Sequence, residues 1–257
     1  MPQPLVSVII PAKDEADSLP HLLDEIAAAL ADVEHEVLVI DDGSTDATWS
    51  LLVQRAAEDD RLRPLRHPDN AGQSTSIWQA AHLACGTWLA TLDGDGQNDP
   101  ADLPRLLDKA RREDVAMVAG HRVSRHDDWL KRVSSHVANR VRSALLKDDT
   151  PDTACGLKVM RRDTFVMLPY FDHMHRFLPA LVQSQGERCI SVPVNHRARQ
   201  AGQSHYGLNN RLWVGLIDMI GVMWLRRRSR LPAALTTQRD IDASPRSSDA
   251  QYVKEQG

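Results

Sequence analysis

The first 120 residues alternate between short apolar runs and longer segments with apolar residues at helical spacing. The runs at 5–10 and 36–40 are unbroken, which is typical of strands covered on both faces of a sheet. Shorter runs at 62–66, 88–92 and 115–119 predict three more strands. Because predicted helices and short loops separate these strands, we expect an α/β fold with a doubly wound, mostly parallel sheet.

Four helices are predicted between the strands, at about 19–30, 45–57, 74–84 and 100–112. The first has Ser18 at the N-cap position and Pro20 in its first turn, both of which favour a helix start. Sheets of this kind bind ligands at the carboxyl ends of their strands. The polar residues that follow each strand are therefore the candidate site.

The alternation ends after His121. A basic helical segment is predicted at 129–146 and a short strand at 156–160. Residues 207–228 combine apolar residues at helical spacing with a following arginine cluster, which is typical of an amphipathic helix at a membrane interface. A helix packed on the protein's own core is the alternative. From about 231 the composition predicts a disordered tail.

Charge is distributed unevenly along the chain. Residues 1–120 contain 22 acidic and nine basic side chains, whereas residues 121–257 contain 13 acidic and 22 basic ones. An acidic half suits a metal site, and a basic half suits phosphates or an anionic membrane surface. Charge scattered over solvated helices is the alternative explanation.

Other sequence features indicate the cellular compartment in which the protein works. The three cysteines, Cys85, Cys155 and Cys189, are widely spaced, which argues against a disulfide framework and fits a reducing compartment. The first residues have no basic segment of the kind that begins a signal peptide. No apolar run reaches the roughly 18 residues of a membrane-spanning helix. We therefore expect a cytoplasmic protein.

The strongest chemical signal is the segment D-G-D-G-Q at 93–97, directly after a predicted strand. Asp93 and Asp95 lie one residue apart, and Gln97 adds a neutral oxygen. Such oxygen ligands suit Mg²⁺ or Mn²⁺, which bind the phosphates of nucleotides. An ordinary Asp-Gly turn between strand and helix is the alternative.

Three other polar loops follow predicted strands, namely P-A-K-D-E at 11–15, D-D-G-S-T-D at 41–46 and N-A-G at 70–72. Carboxylates such as those of Asp41 and Asp42 can accept hydrogen bonds from a nucleobase or a ribose. Helix capping is the alternative, although it does not explain two adjacent acids. Four such loops in this order are more specific than any one of them.

In this order, the four loops resemble the signature of the family-2 inverting glycosyltransferases with the GT-A fold, over about residues 5–125. Within that family the chain is most similar to dolichyl- and polyprenyl-phosphate mannosyl- and glucosyltransferases. That narrower likeness rests on G-H-R at 120–122, the basic segment at 131–139, D-T-A-C-G-L-K at 152–158 and R-Q-A-G-Q-S-H-Y-G at 199–207. Lys13-Asp14 and His205 depart from the commoner Tyr-Asn and Lys.

The resemblance implies specific roles. Pro11, Glu15 and one of the Asp41/Asp42 pair would hold the nucleoside, and Asp93, Asp95 and Gln97 would surround the divalent cation and the diphosphate. The remaining donor-binding residues would be Gly72, Lys131, Ser135, Arg199 and Ser204. The catalytic residues would be Asp95, Arg122, Arg132 and Asp152.

The acceptor decides whether a base is needed. A hydroxyl acceptor requires one, for which Asp152 is the candidate, whereas a lipid phosphate is already ionised. Pairing with a nearby arginine is the alternative role of Asp152. His173 and His175 look like a metal pair but have no third ligand at matching spacing, so we expect them to form loop hydrogen bonds.

We therefore expect a metal-dependent enzyme that moves a hexose from a GDP- or UDP-sugar to a polyprenyl phosphate, in cell-envelope glycan synthesis on the cytoplasmic membrane face. Its catalytic domain would span 1–206, with a nucleotide-sugar half (1–120) and an acceptor half (121–206), followed by the interfacial segment 207–230 and the tail 231–257. A small membrane protein is an expected partner, and nucleic acid is not. The alternatives are transfer to a glycan or lipid hydroxyl, and a non-catalytic sugar-nucleotide scaffold.

Overall fold

A computed structural model of the chain describes residues 4–122, 146, 150–197 and 208–228. The predicted basic helix at 129–146 and the predicted tail therefore lie, apart from residue 146, outside the described residues. The strands are β1 (Val6–Ala12), β2 (His35–Asp42), β3 (Leu62–His67), β4 (Trp88–Thr91), β5 (Met117–Arg122), β6 (Lys158–Arg161) and β7 (Cys189–Val194). The α-helices are α1 (Leu19–Ala29), α2 (Thr48–Ala56), α3 (Gln73–Leu83), α4 (Leu103–Arg112), α5 (Arg162–Val166), α6 (Leu178–Ser184) and α7 (Leu208–Arg228).

These strands form one sheet in the order β3-β2-β1-β4-β6-β5-β7. β1 pairs in parallel with β2 and β4, β2 with β3, and β5 with β7, while β6 is antiparallel between β4 and β5. The predicted mostly parallel α/β sheet is confirmed. Because β1, β2 and β4 are neighbours, the loops that follow them meet at one edge of the sheet.

Both faces of the sheet are buried, which explains the unbroken apolar runs. In β1, Val8 and Ile10 pack in one core layer with Leu22 of α1 and Leu106 of α4. Ile9 points to the opposite layer, which contains α3, α5 and α6. Alternate residues of one strand thus enter two different cores, as expected for a sheet covered on both sides.

Helix α7 packs against the second core layer with one face only. Val222 is 1% exposed, whereas Ile217, Ile220 and Trp224 are 67%, 60% and 59% exposed. These three recur at helical spacing on the outer face, and the helix ends with three arginines, Arg226–Arg228. Among the described helices, none combines the length and the apolar character needed to cross a bilayer.

Several local features differ from the sequence predictions. Ser18 occupies the N-cap position of α1, but its hydroxyl makes no capping hydrogen bond. It instead donates to the carbonyl of Gly94 at 2.7 Å, so a tertiary contact replaces the cap. The predicted helix at 100–112 begins with a 3₁₀ turn, Pro100–Asp102. β7, α5 and α6 were not predicted, since their apolar runs are short.

Candidate active site

The acidic loop after β4 lies at the carboxyl edge of the sheet, beside the loop that follows β1. The backbone N–H of Asp93 donates to Asn98 Oδ1 at 3.2 Å, and that of Gln97 donates to Asp95 Oδ1 at 3.1 Å. The segment is thus a tight turn held by its own side chains. Gly96 adopts φ +70°, a left-handed conformation that glycine accepts without strain.

Asp93 sits at the inner side of this turn. Its Oδ1 accepts a hydrogen bond from Gln73 Nε2 at 2.9 Å, at the start of α3. Burial, and then the neighbouring carboxylate of Asp95, raise the pKa of Asp93, and the opposing effects of Lys158, Gln73 and Arg122 do not cancel this. Two carboxylates therefore repel each other in a confined space, an arrangement that favours a cationic ligand.

The two acids at the end of β2 have different surroundings. Asp42 accepts hydrogen bonds from the backbone N–H of Ala71 at 2.7 Å and of Gly72 at 2.8 Å. His67 Nδ1 lies 2.7 Å from the same carboxylate. Asp42 thus shapes the loop that contains Gly72.

Asp41 is fully buried, and its Oδ1 accepts from the backbone N–H of Ser44 at 2.9 Å. Its Oδ2 makes no hydrogen bond, although Arg66 Nε lies 3.1 Å away. Among the described residues, this oxygen is one of a few buried side-chain atoms without a hydrogen-bond partner. Of the two acids, Asp41 is thus the one whose carboxylate accepts a backbone hydrogen bond through one oxygen only, while its other oxygen is ion-paired with Arg66.

Pro11 lies near the end of β1, and the loop that follows, which contains Glu15, is joined to the loop after β2. Asp14, with φ +54°, accepts from the backbone N–H of Thr45 at 2.7 Å. The N–H of Glu15 donates to Thr48 Oγ1 at 3.0 Å, while the Glu15 carboxylate lies 2.9 Å from Ser18 Oγ. These bonds bring the predicted nucleoside residues of two loops together.

Arg122 and Asp152 form a planar two-bond pair at the end of β5. Arg122 Nε donates to Asp152 Oδ2 at 2.7 Å, and Nη2 donates to Oδ1 at 2.8 Å. The Arg122 backbone N–H also points at Oδ2, at 3.2 Å. Burial lowers the pKa of Arg122, but the bonds with Asp152 outweigh it and the pKa is raised. This geometry matches the alternative role of Asp152, an arginine-paired loop carboxylate.

A buried lysine lies between the acidic turn and this pair. Lys158 is 4% exposed, and its ammonium group donates to the carbonyl of Cys155. Burial lowers the pKa of Lys158, against the attraction of Cys155, Asp93 and Asp152. The resemblance marked Lys158 only as part of a motif, and the structure shows a buried cation that Asp93 and Asp152 influence electrostatically.

His175 lies on a 3₁₀ turn, Met174–Arg176, that faces the start of α3. Its Nδ1 is 2.7 Å from Ser74 Oγ, next to the Gln73 that bonds Asp93. Burial, followed by the positive charge of Lys158, lowers its pKa to about 3, so the imidazole is neutral at physiological pH. The predicted hydrogen-bonding role of His175 is confirmed.

The structure thus brings together Pro11, Glu15, Asp41, Asp42, Gly72, Asp93, Asp95, Gln97, Arg122 and Asp152 along one edge of the sheet. Lys131, Arg132, Ser135, Arg199 and Ser204 lie outside the described residues, and their roles stay predictions. Sequence reasoning missed Ser18, Gln73 and Arg197, which contact the acidic turn or its flanks. Gln73 directly follows the N-A-G motif, which is the one signal that pointed to its position.

Comparison with known proteins identifies the family. Residues 7–166 match the model of glycosyl transferase family 2. The chain is 32% identical over 233 residues to a dodecaprenyl-phosphate galacturonate synthase of Rhizobium johnstonii, an alignment that covers 88% of this chain and 69% of the relative.

Solved structures of a glucosyl-3-phosphoglycerate synthase from Mycobacterium tuberculosis have a similar fold. One, in complex with Mn²⁺, UDP and phosphoglyceric acid, superposes with a TM-score of 0.65 at 19% identity and covers 90% of this chain and 80% of the neighbour. Another, in complex with Mg²⁺ and UDP, superposes with a TM-score of 0.65 at 18% identity and covers 90% of this chain and 81% of the neighbour. These likenesses confirm the predicted GT-A fold, and the family match shows that the chain belongs to glycosyl transferase family 2.

Proposed function

We propose that this glycosyltransferase moves a hexose or hexuronic acid from a UDP- or GDP-sugar to a polyprenyl phosphate at a membrane surface. The likeness to a dodecaprenyl-phosphate galacturonate synthase supports the acceptor class. Within the site, the main support for this acceptor is the Arg122–Asp152 pair. Both carboxylate oxygens of Asp152 accept hydrogen bonds from one guanidinium. A carboxylate held in this way is a poor general base, which suits an acceptor that is already ionised.

The acidic turn fits a divalent cation. Asp93 and Asp95 offer two carboxylates whose mutual repulsion a cation would relieve, and Gln97 lies on the same turn. Within the described residues no group of three or more His, Cys, Asp or Glu is arranged to hold a metal. Mg²⁺ is commonly held by one or two carboxylates, with substrate phosphates and water completing the shell. When bound, the cation supplies positive charge to the leaving diphosphate.

The chain's own residues position the reactants. Asp41 would accept from the base or ribose, while Asp42 holds the loop of Gly72 in shape. The Arg122 guanidinium has five N–H donors, of which the fork to Asp152 uses two. The rest of the guanidinium would bind a phosphate oxygen, and such charge-assisted bonds strengthen as negative charge grows in the transition state.

The outer face of α7 would meet the membrane. Ile217, Ile220 and Trp224 form an exposed apolar row that ends at Arg227 and Arg228. An amphipathic helix with aromatic and basic residues in this arrangement binds anionic lipid surfaces. The nucleotide half 1–120 and the acceptor half 121–206 share one sheet, and α7 would bring that sheet's ligand edge to a lipid acceptor.

One assay tests the proposal. The purified protein is incubated with Mn²⁺ and UDP- or GDP-sugars, including UDP-galacturonate, and with either a short polyprenyl phosphate or the matching polyprenol. We expect transfer to the phosphate and none to the alcohol. Equal transfer to the alcohol would favour a hydroxyl-directed enzyme, and no turnover with any donor would favour a non-catalytic scaffold. Flotation with anionic vesicles, with Ile220→Ser and Trp224→Ser as the variant, tests the membrane face separately.

A further inference from the structure

Arg197 lies three residues beyond the end of β7 and joins three separate parts of the fold. Its Nη1 donates to both carboxylate oxygens of Glu25 on α1, at 2.7 and 2.8 Å. Its Nη2 lies 2.7 Å from Asp99 Oδ1, just after the acidic turn. Its backbone N–H donates to the carbonyl of Gln97 at 2.9 Å. One side chain thus connects a helix to the far end of the acidic turn.

The segment before Arg197 adds to this attachment. His196 and Asn98 form an isolated antiparallel bridge, and the side-chain amide of Gln97 donates to the Arg197 carbonyl at 3.5 Å. The backbone N–H of Asn195 donates to Asp102 Oδ2 at 2.8 Å. Residues 195–197 therefore run alongside the acidic turn as a short supporting strand.

Helix α1 holds the same turn at its other end. Ser18, at the start of α1, donates to the carbonyl of Gly94 at 2.7 Å. Glu25 follows seven residues later, so both lie on one face of the helix. The turn that contains Asp95 is consequently held at Gly94 through Ser18 and at Gln97 through Arg197 and Glu25.

The acidic turn has a high density of negative charge, which the guanidinium of Arg197 offsets. Asp93, Asp95 and Asp99 crowd one short segment with negative charge, which favours an open loop when no cation is bound. Arg197 brings a guanidinium to that segment, and its side chain is 31% exposed against 23% for Glu25 and 13% for Asp99. Charge-assisted contacts at this burial, from Nη1 to Glu25 and from Nη2 to Asp99, are stronger than those of a fully exposed pair.

We propose that Arg197 is a positioning residue that holds the Gly94–Gln97 turn in its ligand-binding shape before the cation and the nucleotide arrive. The benefit for ligand binding rests on the proposed function, but the effect of Arg197 on the shape of the turn can be measured in the metal-free protein. Nothing in the motif that begins at Arg199 pointed to Arg197, and its partners come from two distant parts of the sequence, Glu25 on α1 and Gln97 and Asp99 at the acidic turn.

Hydrogen exchange of the metal-free protein tests the claim directly. We expect Arg197→Ala to increase the exchange rate of peptides that cover 93–99 by about tenfold, because a charged hydrogen-bond pair is lost. Arg55→Ala is the matched control, since Arg55 pairs with Asp24, the residue next to Glu25 on α1. Arg197→Lys, which keeps the charge but has a single nitrogen in place of the two that contact Glu25 and Asp99, should fall between wild type and Arg197→Ala.

A second measurement connects the turn to ligand binding. In thermal shift with MnCl₂ and either UDP or GDP, Arg197→Ala should need about tenfold more Mn²⁺ for half of the maximal shift. Unchanged exchange at 93–99 in Arg197→Ala, or an equal increase in Arg55→Ala, would overturn the inference. If wild type shows no shift with either nucleotide, the proposed function fails, and the exchange result still decides the role of Arg197.

Discussion

Replacing Gly156 by alanine should remove most of the activity while leaving the fold intact. Gly156 lies opposite the acidic turn, and a Cβ built on it would lie 2.3 Å from Asp93 Oδ2 and 2.5 Å from Asp93 Cγ. Ordinary contacts begin at 3.4 Å. One of the two groups must therefore move by about 1 Å.

Neither group can move without losing a bond. The Gly156 carbonyl accepts from Thr91 Oγ1 at 2.6 Å, and the next carbonyl, of Leu157, accepts from the Gly120 N–H at 2.9 Å. Asp93 is held by Gln73 at 2.9 Å. The carboxylate is the more mobile of the two, since it ends a side chain and the glycine belongs to a backbone clamped between strands.

A displacement of about 1 Å at a reacting centre typically costs about 100-fold in rate, which corresponds to about 2.7 kcal/mol. We expect kcat/KM for sugar transfer to fall by about that factor in Gly156→Ala. The loss of stability should stay near the lower end of the roughly 1–3 kcal/mol range for overpacking, because the carboxylate can swing aside. Gly221→Ala is the control, since a Cβ there meets nothing within 4 Å.

Activity is measured with a donor sugar and polyprenyl phosphate at a temperature at which both variants are folded, and unfolding is followed by circular dichroism. A Gly156→Ala enzyme with kcat/KM within about threefold of wild type would refute the reasoning. It would mean that the position of Asp93 does not limit the reaction. A large drop in the midpoint of unfolding would instead show that the strain spreads through the sheet.

Other outcomes follow from the same contacts. Asp42→Asn should weaken UDP or GDP binding and lower the free energy of unfolding by about 1.5–3 kcal/mol, because two backbone N–H groups lose a charged acceptor. Nucleotide titration measures the binding, and thermal unfolding measures the stability. Arg122→Lys should lower kcat more than it raises the KM for the donor, since lysine cannot form the fork to Asp152. Burial raises the pKa of Glu36, but bonds from Ser7, Cys85 and Arg63 outweigh it and the pKa lies below 4.5. The stability from Glu36 is therefore fully present above pH 4.5 and is lost as the pH falls through the folded-state pKa, so denaturant unfolding of Glu36→Gln should depend less on acid pH.

The order of strands and helices in the first half could be predicted because local patterns determine it. Apart from the edge strand β3, the strands of that half are apolar on both faces, and the helices have periodic apolar residues, so their type can be read from local patterns. β6 was predicted as a strand, but its antiparallel pairing with β4 and β5 is a long-range contact that a local pattern does not encode. β7 could not be predicted, since three of its six residues are only partly buried and one is exposed.

The positions of the site residues could be predicted more easily than their individual roles. Asp41 and Asp42 are adjacent in the sequence, and the pattern gave no reason to separate them. Strand geometry sends consecutive side chains to opposite sides, so one reaches the loop of Gly72 and the other reaches Ser44. Ser18 likewise has the sequence signature of a helix cap, but its partner is Gly94, 76 positions away.

The site carboxylates divide into two groups by whether both oxygens, or one of them, accept hydrogen bonds from the described residues. Those of Asp42 and Asp152 accept bonds from loops and an arginine that they hold in place. Asp93 and Asp95 share a turn where burial and mutual repulsion disfavour two negative charges, and Asp41 has a buried oxygen without a hydrogen bond. Carboxylates of the first group stabilise the protein before ligand binds. In the second group, a cation would relieve the repulsion between Asp93 and Asp95, so we expect the binding free energy of the cation to depend mainly on these two carboxylates.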